Sequence, residues 1–427
     1  MTIRRLMIVA GEASGDGHAA KLVRALRDVS PESNLQFFGA AGEKLRAAGV
    51  EAIVESDHLS IVGLTEIGRA LPMFLKVFRL LKRSALERKP DAVILVDFPD
   101  FNLKIAKALK KLGFTVVYYI SPQLWAWRKY RINTVKKYVD LMITILPFEK
   151  DWYAKQGVTH VEYVGSPLAM EVHSNVSKED FCRKHDLKLD RPIISLLPGS
   201  RHKEIVRILP VMLTAASKMA EGDGDLQFVI ASAAPYTLIN AAEFSANMSE
   251  AKARGIWIPG AGGLLKALES EEYKSLNTAD ANEAIERART SGLRLPKILK
   301  VLEGETYDAL NASDAAAVTS GTATLEAGII GTPMAIVYKT SGLNYNLLEP
   351  LISVEHYGLI NLIAGKRVAK ELIQREFTAA TLSTELLRLL EPAVNTSMRA
   401  ELKAATGKLG HGGASMRAAE AIIKLID

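Results

Sequence analysis

Leu196-Leu197-Pro198-Gly199-Ser200-Arg201-His202-Lys203-Glu204 is the stretch whose reading decides the fold. It follows the apolar run Pro192-Ile193-Ile194-Ser195-Leu196-Leu197, which has the length and composition of a buried parallel strand. It precedes Ile205, Ile208, Leu209, Met212 and Leu213, spaced as the inner face of a helix. A Pro-Gly turn therefore carries Ser200 and Arg201 to the C-terminal end of a strand and the start of a helix. Free backbone N–H groups and the positive end of the helix dipole gather there, and both suit a phosphate. Arg201 can add a bidentate guanidinium contact and Ser200 a hydroxyl donor. The plainer alternative is that Ser200 caps the helix and Arg201 is solvated. This segment alone does not separate the two.

Outward from it, short apolar runs recur, each followed by a turn and a helical pattern, the rhythm of an α/β protein with parallel sheets. The first run, residues 6–10, leads into Gly11-Glu12-Ala13-Ser14-Gly15-Asp16-Gly17-His18, read as a loop. Its glycines do not fall at G-x-G-x-x-G, and the chain has no G-x-x-x-x-G-K-[ST]. A polar, Gly-rich loop at a strand's C-terminal end still lies where open α/β sheets bind ligands. A βα turn that needs glycine for positive φ accounts for it as well. The run Ala92–Val96 ends in Asp97-Phe98-Pro99-Asp100-Phe101-Asn102. Asp97, at the tip of a parallel strand, is placed to act on a ligand, whereas Asp100 reads as the N-cap of the next helix. No His or further carboxylate lies close in sequence to make the pair a metal site. Residues 115–120 lead into Ser121-Pro122-Gln123-Leu124-Trp125-Ala126-Trp127-Arg128. The tryptophans and Arg128 can stack on a sugar or base, or pack the loop down, and packing is the default for tryptophan.

Gly165-Ser166-Pro167 and the polar stretch to Lys178 read as a linker between two halves, residues 1–170 and 171–365. The second half repeats the rhythm, interrupted at about 244–293 by a polar, Ala- and Glu-rich insertion of helical character. Residues 315–318 run into Thr319-Ser320-Gly321-Thr322-Ala323-Thr324 and Leu325-Glu326-Ala327. Ser320, Gly321 and Thr322 at a helix N-terminus again suit a phosphate, and Glu326 can accept from ribose hydroxyls. Thr322 as a cap and Glu326 as an acid favoured by the dipole explain much of the same pattern. Residues 366–427 read as C-terminal helices.

Between Leu59 and Arg83, Leu64, Ile67, Leu71, Phe74, Leu75, Phe78 and Leu81 follow helical spacing, edged by Lys76, Arg79, Lys82 and Arg83. Charges interrupt the segment, so it cannot be a membrane span of roughly 20 apolar residues. It fits a helix lying on an anionic bilayer, or one buried on both sides and kinked at Pro72. The net charge of +6 favours acidic partners such as phosphorylated ligands or an anionic membrane face. No basic run or aromatic–basic interleaving marks nucleic-acid binding. The single cysteine, Cys182, excludes an internal disulfide and a Cys-based zinc cluster. The N-terminal apolar run is too short for a signal peptide's core, so a cytoplasmic location is expected.

Taken together, Ala10-Gly11-Glu12-Ala13-Ser14-Gly15-Asp16, Pro90-Asp91, Asp97-Phe98-Pro99-Asp100-Phe101-Asn102, Ser121-Pro122 with Trp125-Ala126-Trp127-Arg128, Leu146-Pro147-Phe148-Glu149-Lys150, Leu196-Leu197-Pro198-Gly199-Ser200-Arg201, Ser320-Gly321-Thr322-Ala323 with Leu325-Glu326, and Asn361-Leu362 with Ala364-Gly365 resemble the lipid-A-disaccharide synthase family. They occur in family order over nearly the whole chain, and the Ser-Pro…Trp-Ala-Trp-Arg string is the most specific. The resemblance implies a GT-B glycosyltransferase, two Rossmann-like domains facing a cleft. It implies inverting transfer of 2,3-diacylglucosamine from its UDP donor to 2,3-diacylglucosamine 1-phosphate, giving the β-1,6-linked disaccharide 1-phosphate and UDP. By position Asp97 matches the proposed general base, Arg201 an essential arginine and Asn361 a nucleotide-site residue. Gly11, Glu12, Ser14, Gly15, Asp16, Ser121, Trp125 and Arg128 fall on the acceptor side, and no metal or other cofactor is expected. The resemblance also implies a homodimer through exchanged C-terminal helices, at the inner face of the inner membrane. The sequence departs from the family in its longer 244–293 region, in Gly358-Leu359-Ile360 before Asn361, and in Gly17-His18. Another GT-B enzyme of UDP-N-acetylglucosamine, transferase or 2-epimerase, would share the phosphate turns but not need the interfacial helix. A non-catalytic membrane-bound nucleotide-sugar binder would have no use for Asp97.

Overall fold

The computed structural model describes residues 3–56, 67–200, 202–232, 278–340 and 354–427. These divide into two compact units. Residues 3–167 and 411–427 form the first, and the remainder of the described chain, 168–410, the second.

In the first unit, β1 (Ile3–Ala10), β2 (Asn34–Ala41), β3 (Glu51–Glu55), β4 (Ala92–Val96), β5 (Val116–Tyr119), β6 (Leu141–Thr144) and β7 (Val161–Tyr163) form a parallel sheet ordered β3-β2-β1-β4-β5-β6-β7. The strands are apolar throughout because helices cover both faces, and alternate residues serve opposite layers. Leu6, Ile8, Ile94, Val96, Val117, Tyr119 and Ile143 pack with Leu22, Val23 and Leu26 of the helix Ala13–Val29. Met7, Val9, Val93, Leu95, Val116, Tyr118 and Met142 pack on the other side with Val77, Leu81 and Ala85 of the helix Ile67–Arg88, and with Ile105 and Leu109 of the helix Pro99–Lys110. The first of these layers is completed from the far end of the sequence. Ala414, Ala418, Ala419 and Ile422 of the helix Ala414–Ile426 are buried in it. Arg417 fastens that helix by donating from Nε (2.8 Å) and Nη2 (2.6 Å) to the carbonyl of Val164.

In the second unit, β8 (Ile193–Leu197), β9 (Gln227–Ser232), β10 (Ile298–Glu303), β11 (Ala315–Thr319), β12 (Met334–Tyr338) and β13 (Glu371–Ile373) form a parallel sheet ordered β10-β9-β8-β11-β12-β13. Helices His202–Gly222, Thr322–Ile330, Ala379–Leu390 and Pro392–Thr406 belong to this unit.

Several sequence expectations are corrected. The stretch read as a loop over 11–18 is helical from Ala13, so Ser14, Gly15 and Asp16 lie in its first turn. The expected linker, 165–178, contains the short helix Leu168–Glu171 and ends at Ser177, which caps the helix Lys178–His185 by accepting at Oγ from the amide of Asp180 at 3.1 Å. Residues 366–427 contain the strand β13 as well as helices, and their last 17 residues belong to the first unit. Of the expected insertion, the described part is the helix Thr278–Thr290. Its earlier residues lie outside those described.

Candidate functional site

In each sheet the strand order reverses once, between β1 and β4 in the first and between β8 and β11 in the second. The crevice beyond the carboxyl ends of the strands at such a reversal is where open α/β sheets bind ligands. Of the loops singled out from sequence, those that follow β1, β4, β8 and β11 begin at these points.

In the first unit, Ala10 pairs with Val96, so Gly11 and Asp97 leave neighbouring strands side by side. The approach is tight, for a Cβ built on Gly11 would lie 2.3 Å from the Phe98 ring. Asp97 and Phe98 both have left-handed backbones, φ 46° and 50°. Two successive non-glycine residues in that region are costly and persist only where their surroundings impose them. Here the Asp97 carbonyl accepts from the Tyr118 hydroxyl (2.6 Å) and from Asn102 Nδ2 (2.8 Å), and the Asp97 amide donates to the Tyr119 carbonyl (3.0 Å). Burial pushes the Asp97 carboxyl up to about 6, the Glu12 carboxylate adds to the rise, and the Phe98 amide opposes it. A carboxyl so tuned is an effective base near neutral pH.

The neighbouring residues divide by role. Asp16 is buried and caps a different helix, accepting from the amides of Gly42 (2.7 Å), Lys44 (2.8 Å) and Leu45 (3.3 Å). Asp100 is not the N-cap expected from sequence. Phe98 holds that position, Pro99 follows it, and Asp100 pairs with Arg128 (2.7 Å) and Arg131. Burial would raise the Asp100 carboxyl, but Arg131 and Arg128 outweigh it and hold the group low. Arg128 also lies over the Trp127 ring, 4.0 Å from its centroid. Trp125 is buried, donating from Nε1 to Glu149 Oε1 at 3.1 Å, and Ser121 Oγ meets the Tyr153 hydroxyl at 2.9 Å. Burial pushes Glu149 up to about 7 against the pull of its donors, with the Leu146 amide and Trp125 foremost.

On the helix Ile67–Arg88, Phe74 and Phe78 turn inward and join Phe98 and Phe101 in an aromatic cluster with centroids 5.7–6.2 Å apart. Their role is packing, while Leu75 and Arg79 remain on the exposed face. Leu64, with the side chains of Ile67 and Leu71, lies outside what is described.

In the second unit, Gly199 at φ 113° makes the turn after β8, where a Cβ would clash with Glu204 at 2.5 Å. The Ser200 amide donates to Glu204 Oε2 at 3.2 Å, so a carboxylate of this chain already sits where an anion was expected. Arg201 lies outside the described residues. Across the reversal, Thr319 Oγ1 donates to the Leu197 carbonyl (2.8 Å) and Ser320 Oγ to the Tyr357 carbonyl (2.8 Å). Gly321 (φ 140°) and Thr322 are exposed at the helix start. Thr322 makes no cap bond. The hydroxyl that ties this turn is Thr324, donating to the Gly321 carbonyl (2.8 Å) and accepting from the Leu359 amide (3.1 Å). Glu326 is raised by burial and accepts from the Tyr307 hydroxyl (3.3 Å), which holds it down in part. Asn361 is fully buried and its side chain is committed to the protein. It donates to the Ala369 carbonyl (2.7 Å) and Glu371 Oε1 (2.9 Å), and accepts from the Ala369 amide (2.9 Å). Glu371 also takes the amides of Tyr357 and Gly358. Asn361 is thus a brace for the loop that meets Ser320, a role different from the direct nucleotide contact that the resemblance implies.

Sequence reading missed Tyr118, Asn102, Glu149, Tyr307 and Glu371. Only Asn102 and Glu149 carried a signal, as polar members of the strings that bear the resemblance. Among the described residues no three His, Cys, Asp or Glu side chains gather as metal ligands.

Two parallel sheets, each with one reversal of strand order, define the class of Rossmann-like α/β proteins to which GT-B enzymes belong. Staphylococcus aureus MnaA solved with UDP (13% identical, covering 99% of this chain and 97% of that one) has the same fold at a TM-score of 0.60. The calicheamicin glycosyltransferase CalG4 (14%, covering 100% and 98%) follows at 0.53. The sequence model of the family described as Lipid-A-disaccharide synthetase matches residues 6–250 and 273–426, its gap falling inside the stretch read as an insertion. The lipid-A-disaccharide synthases of Myxococcus xanthus (40% identical over 99% of this chain and 97% of that one) and Syntrophus aciditrophicus (40%, over 100% and 99%) are among its relatives. The chain belongs to the lipid-A-disaccharide synthetase family and is a glycosyltransferase of lipid A biosynthesis.

Proposed function

We propose that the chain moves 2,3-diacylglucosamine from UDP to the 6-hydroxyl of 2,3-diacylglucosamine 1-phosphate, with inversion at the anomeric carbon. The observation that carries the mechanism is Asp97, fixed at the first sheet's reversal with its carboxyl near 6. Asp97 takes the proton of the acceptor hydroxyl as that oxygen attacks C1, and the bond from C1 to the diphosphate breaks. UDP leaves with the bonding electrons, and the proton passes from Asp97 to solvent. The second unit is the donor side. Ser200, Ser320, Gly321 and Thr322 present turns and helix N-termini to the diphosphate, joined by Arg201, and Glu326 takes a ribose hydroxyl. Glu204 must yield its place at the Ser200 amide when the diphosphate arrives.

The first unit is the acceptor side. No described helix is long and apolar enough to cross a membrane. The exposed face of the helix Ile67–Arg88, with Leu75, Lys76, Arg79 and Leu86, supports a peripheral hold on an anionic bilayer from which both acylated substrates come. A homodimer that exchanged the helix Ala414–Ile426 would keep the contacts this helix makes here, and sedimentation of the protein in detergent by analytical ultracentrifugation tests for it.

The deciding experiment measures disaccharide formation from the two acylated glucosamines, in detergent and without added metal, for wild type and Asp97→Asn. A drop of about 10²–10⁴-fold with UDP binding intact is expected. Wild type that binds the UDP-sugar but makes no disaccharide discards the reaction, and an unimpaired variant discards the base.

A further inference from the structure

Of the strings that bear the family resemblance, Leu146-Pro147-Phe148-Glu149-Lys150 has no part in the chemistry above. Yet Glu149 is only 1% exposed, at the first residue of the helix Glu149–Lys155. A carboxylate at that depth needs donors for both oxygens. They come from two directions. Oε2 accepts from the amides of Ile145 (3.3 Å) and Leu146 (3.0 Å), where the chain leaves β6. Oε1 accepts from the indole of Trp125 (3.1 Å), which stands in the loop that follows β5.

β5 neighbours β4, the strand that ends at Asp97. Its following loop is gripped three times from the same segment: by Tyr153 at Ser121, by the edge-to-face contact of Phe148 with Trp125 (centroids 5.1 Å apart), and by Glu149 at the indole. Past the grip the chain turns through Arg128 at φ 55°, whose guanidinium covers Trp127 and donates to Asp100. Asp100 lies in the first turn of the helix that Asp97 and Phe98 lead into. An unbroken set of contacts therefore runs from Glu149 through the loop to the backbone that carries the base.

We infer that Glu149 is a positioning residue of the transfer site: by tying the Trp125 indole to the β6 turn it fixes the loop 121–128 and, through Arg128 and Asp100, the placement of Asp97. This rests on Asp97 acting as the base. Glu149→Gln keeps the volume but replaces one acceptor by an NH₂ group facing donors, so one side of the bridge must open. Trp125→Phe removes the same bond from the other side and keeps the aromatic packing.

Both single variants and the double variant are assayed for disaccharide formation at a temperature where melting curves show them folded. The expected result is at least a tenfold fall in kcat in each single variant, with KM for the UDP-sugar unchanged. The double variant should be no slower than the slower single one, since both break one bridge. In amide spectra of indole-labelled protein, the resonance that Trp125→Phe removes should move in Glu149→Gln. Folded variants that melt earlier yet turn over like wild type would overturn the inference and leave Glu149 as packing. So would multiplicative losses in the double variant or an unmoved indole resonance. If Glu149→Gln does not fold, Trp125→Phe decides alone by its kcat. A wild type that makes no disaccharide is a different result, which removes the transfer reading and this inference with it.

Discussion

At Asp97 a costly backbone and a tuned carboxyl occur in the same residue. The left-handed pair Asp97–Phe98 is held by the Tyr118 hydroxyl and the Asn102 amide at one end and by the Phe98 ring against Gly11 at the other. Gly11→Ala puts a methyl group into that ring, so a loss of about 1–3 kcal/mol in chemical denaturation is expected, together with slower transfer. The acid side of the pH profile follows from the carboxyl. The base works ionised, so kcat/KM should fall as pH drops through about 6, the value to which burial and Glu12 lift it. Glu12→Gln removes a neighbouring negative charge and should move this limb to lower pH; a limb that stays put would mean Glu12 does not act on Asp97. Asp97 was legible because it closes an apolar run at a strand tip. Of its holders Tyr118 was not, since it sits inside another apolar run and looks like core.

The elements show which patterns a sequence exposes. Interior strands such as Ala92–Val96 and Ile193–Leu197 are buried on both faces and read as unbroken apolar runs. Glu51–Glu55, Ile298–Glu303 and Glu371–Ile373, which form no unbroken buried run, all stand at sheet edges. They are part-exposed or very short, so charged residues enter and the signal fades. The helix Ile67–Arg88 was legible as amphipathic, but not which apolar residues face inward, because Phe74 and Phe78 choose partners distant in sequence. Its exposed face makes a test. Arg79→Glu combined with Leu75→Asp should weaken sedimentation with anionic vesicles about fivefold or more, while uncharged vesicles and UDP binding are unaffected. In the second unit, Glu371→Ala leaves the amides of Tyr357 and Gly358 and the Asn361 side chain without their acceptor. About 1–3 kcal/mol of stability should go with it, and UDP should bind more weakly as the loop at Ser320 loosens.

Over the whole molecule the two sheets repeat one plan, and chain order does not follow the units: residues 411–427 return to the first. Ile422 is fully buried there, so Ile422→Ala should cost about 2–5 kcal/mol, seen as an earlier transition of the first unit with the second unchanged. That return also sets a timetable for birth on the ribosome. Once residue 167 has emerged, the apolar layer around Leu22 and Val164 must wait for its cover until some 240 further residues are made, roughly 10–50 s at ordinary elongation rates. During synthesis the nascent first unit therefore exposes apolar surface that the finished chain covers, and chains stalled before residue 411 should be cut by protease at sites that the finished protein shields.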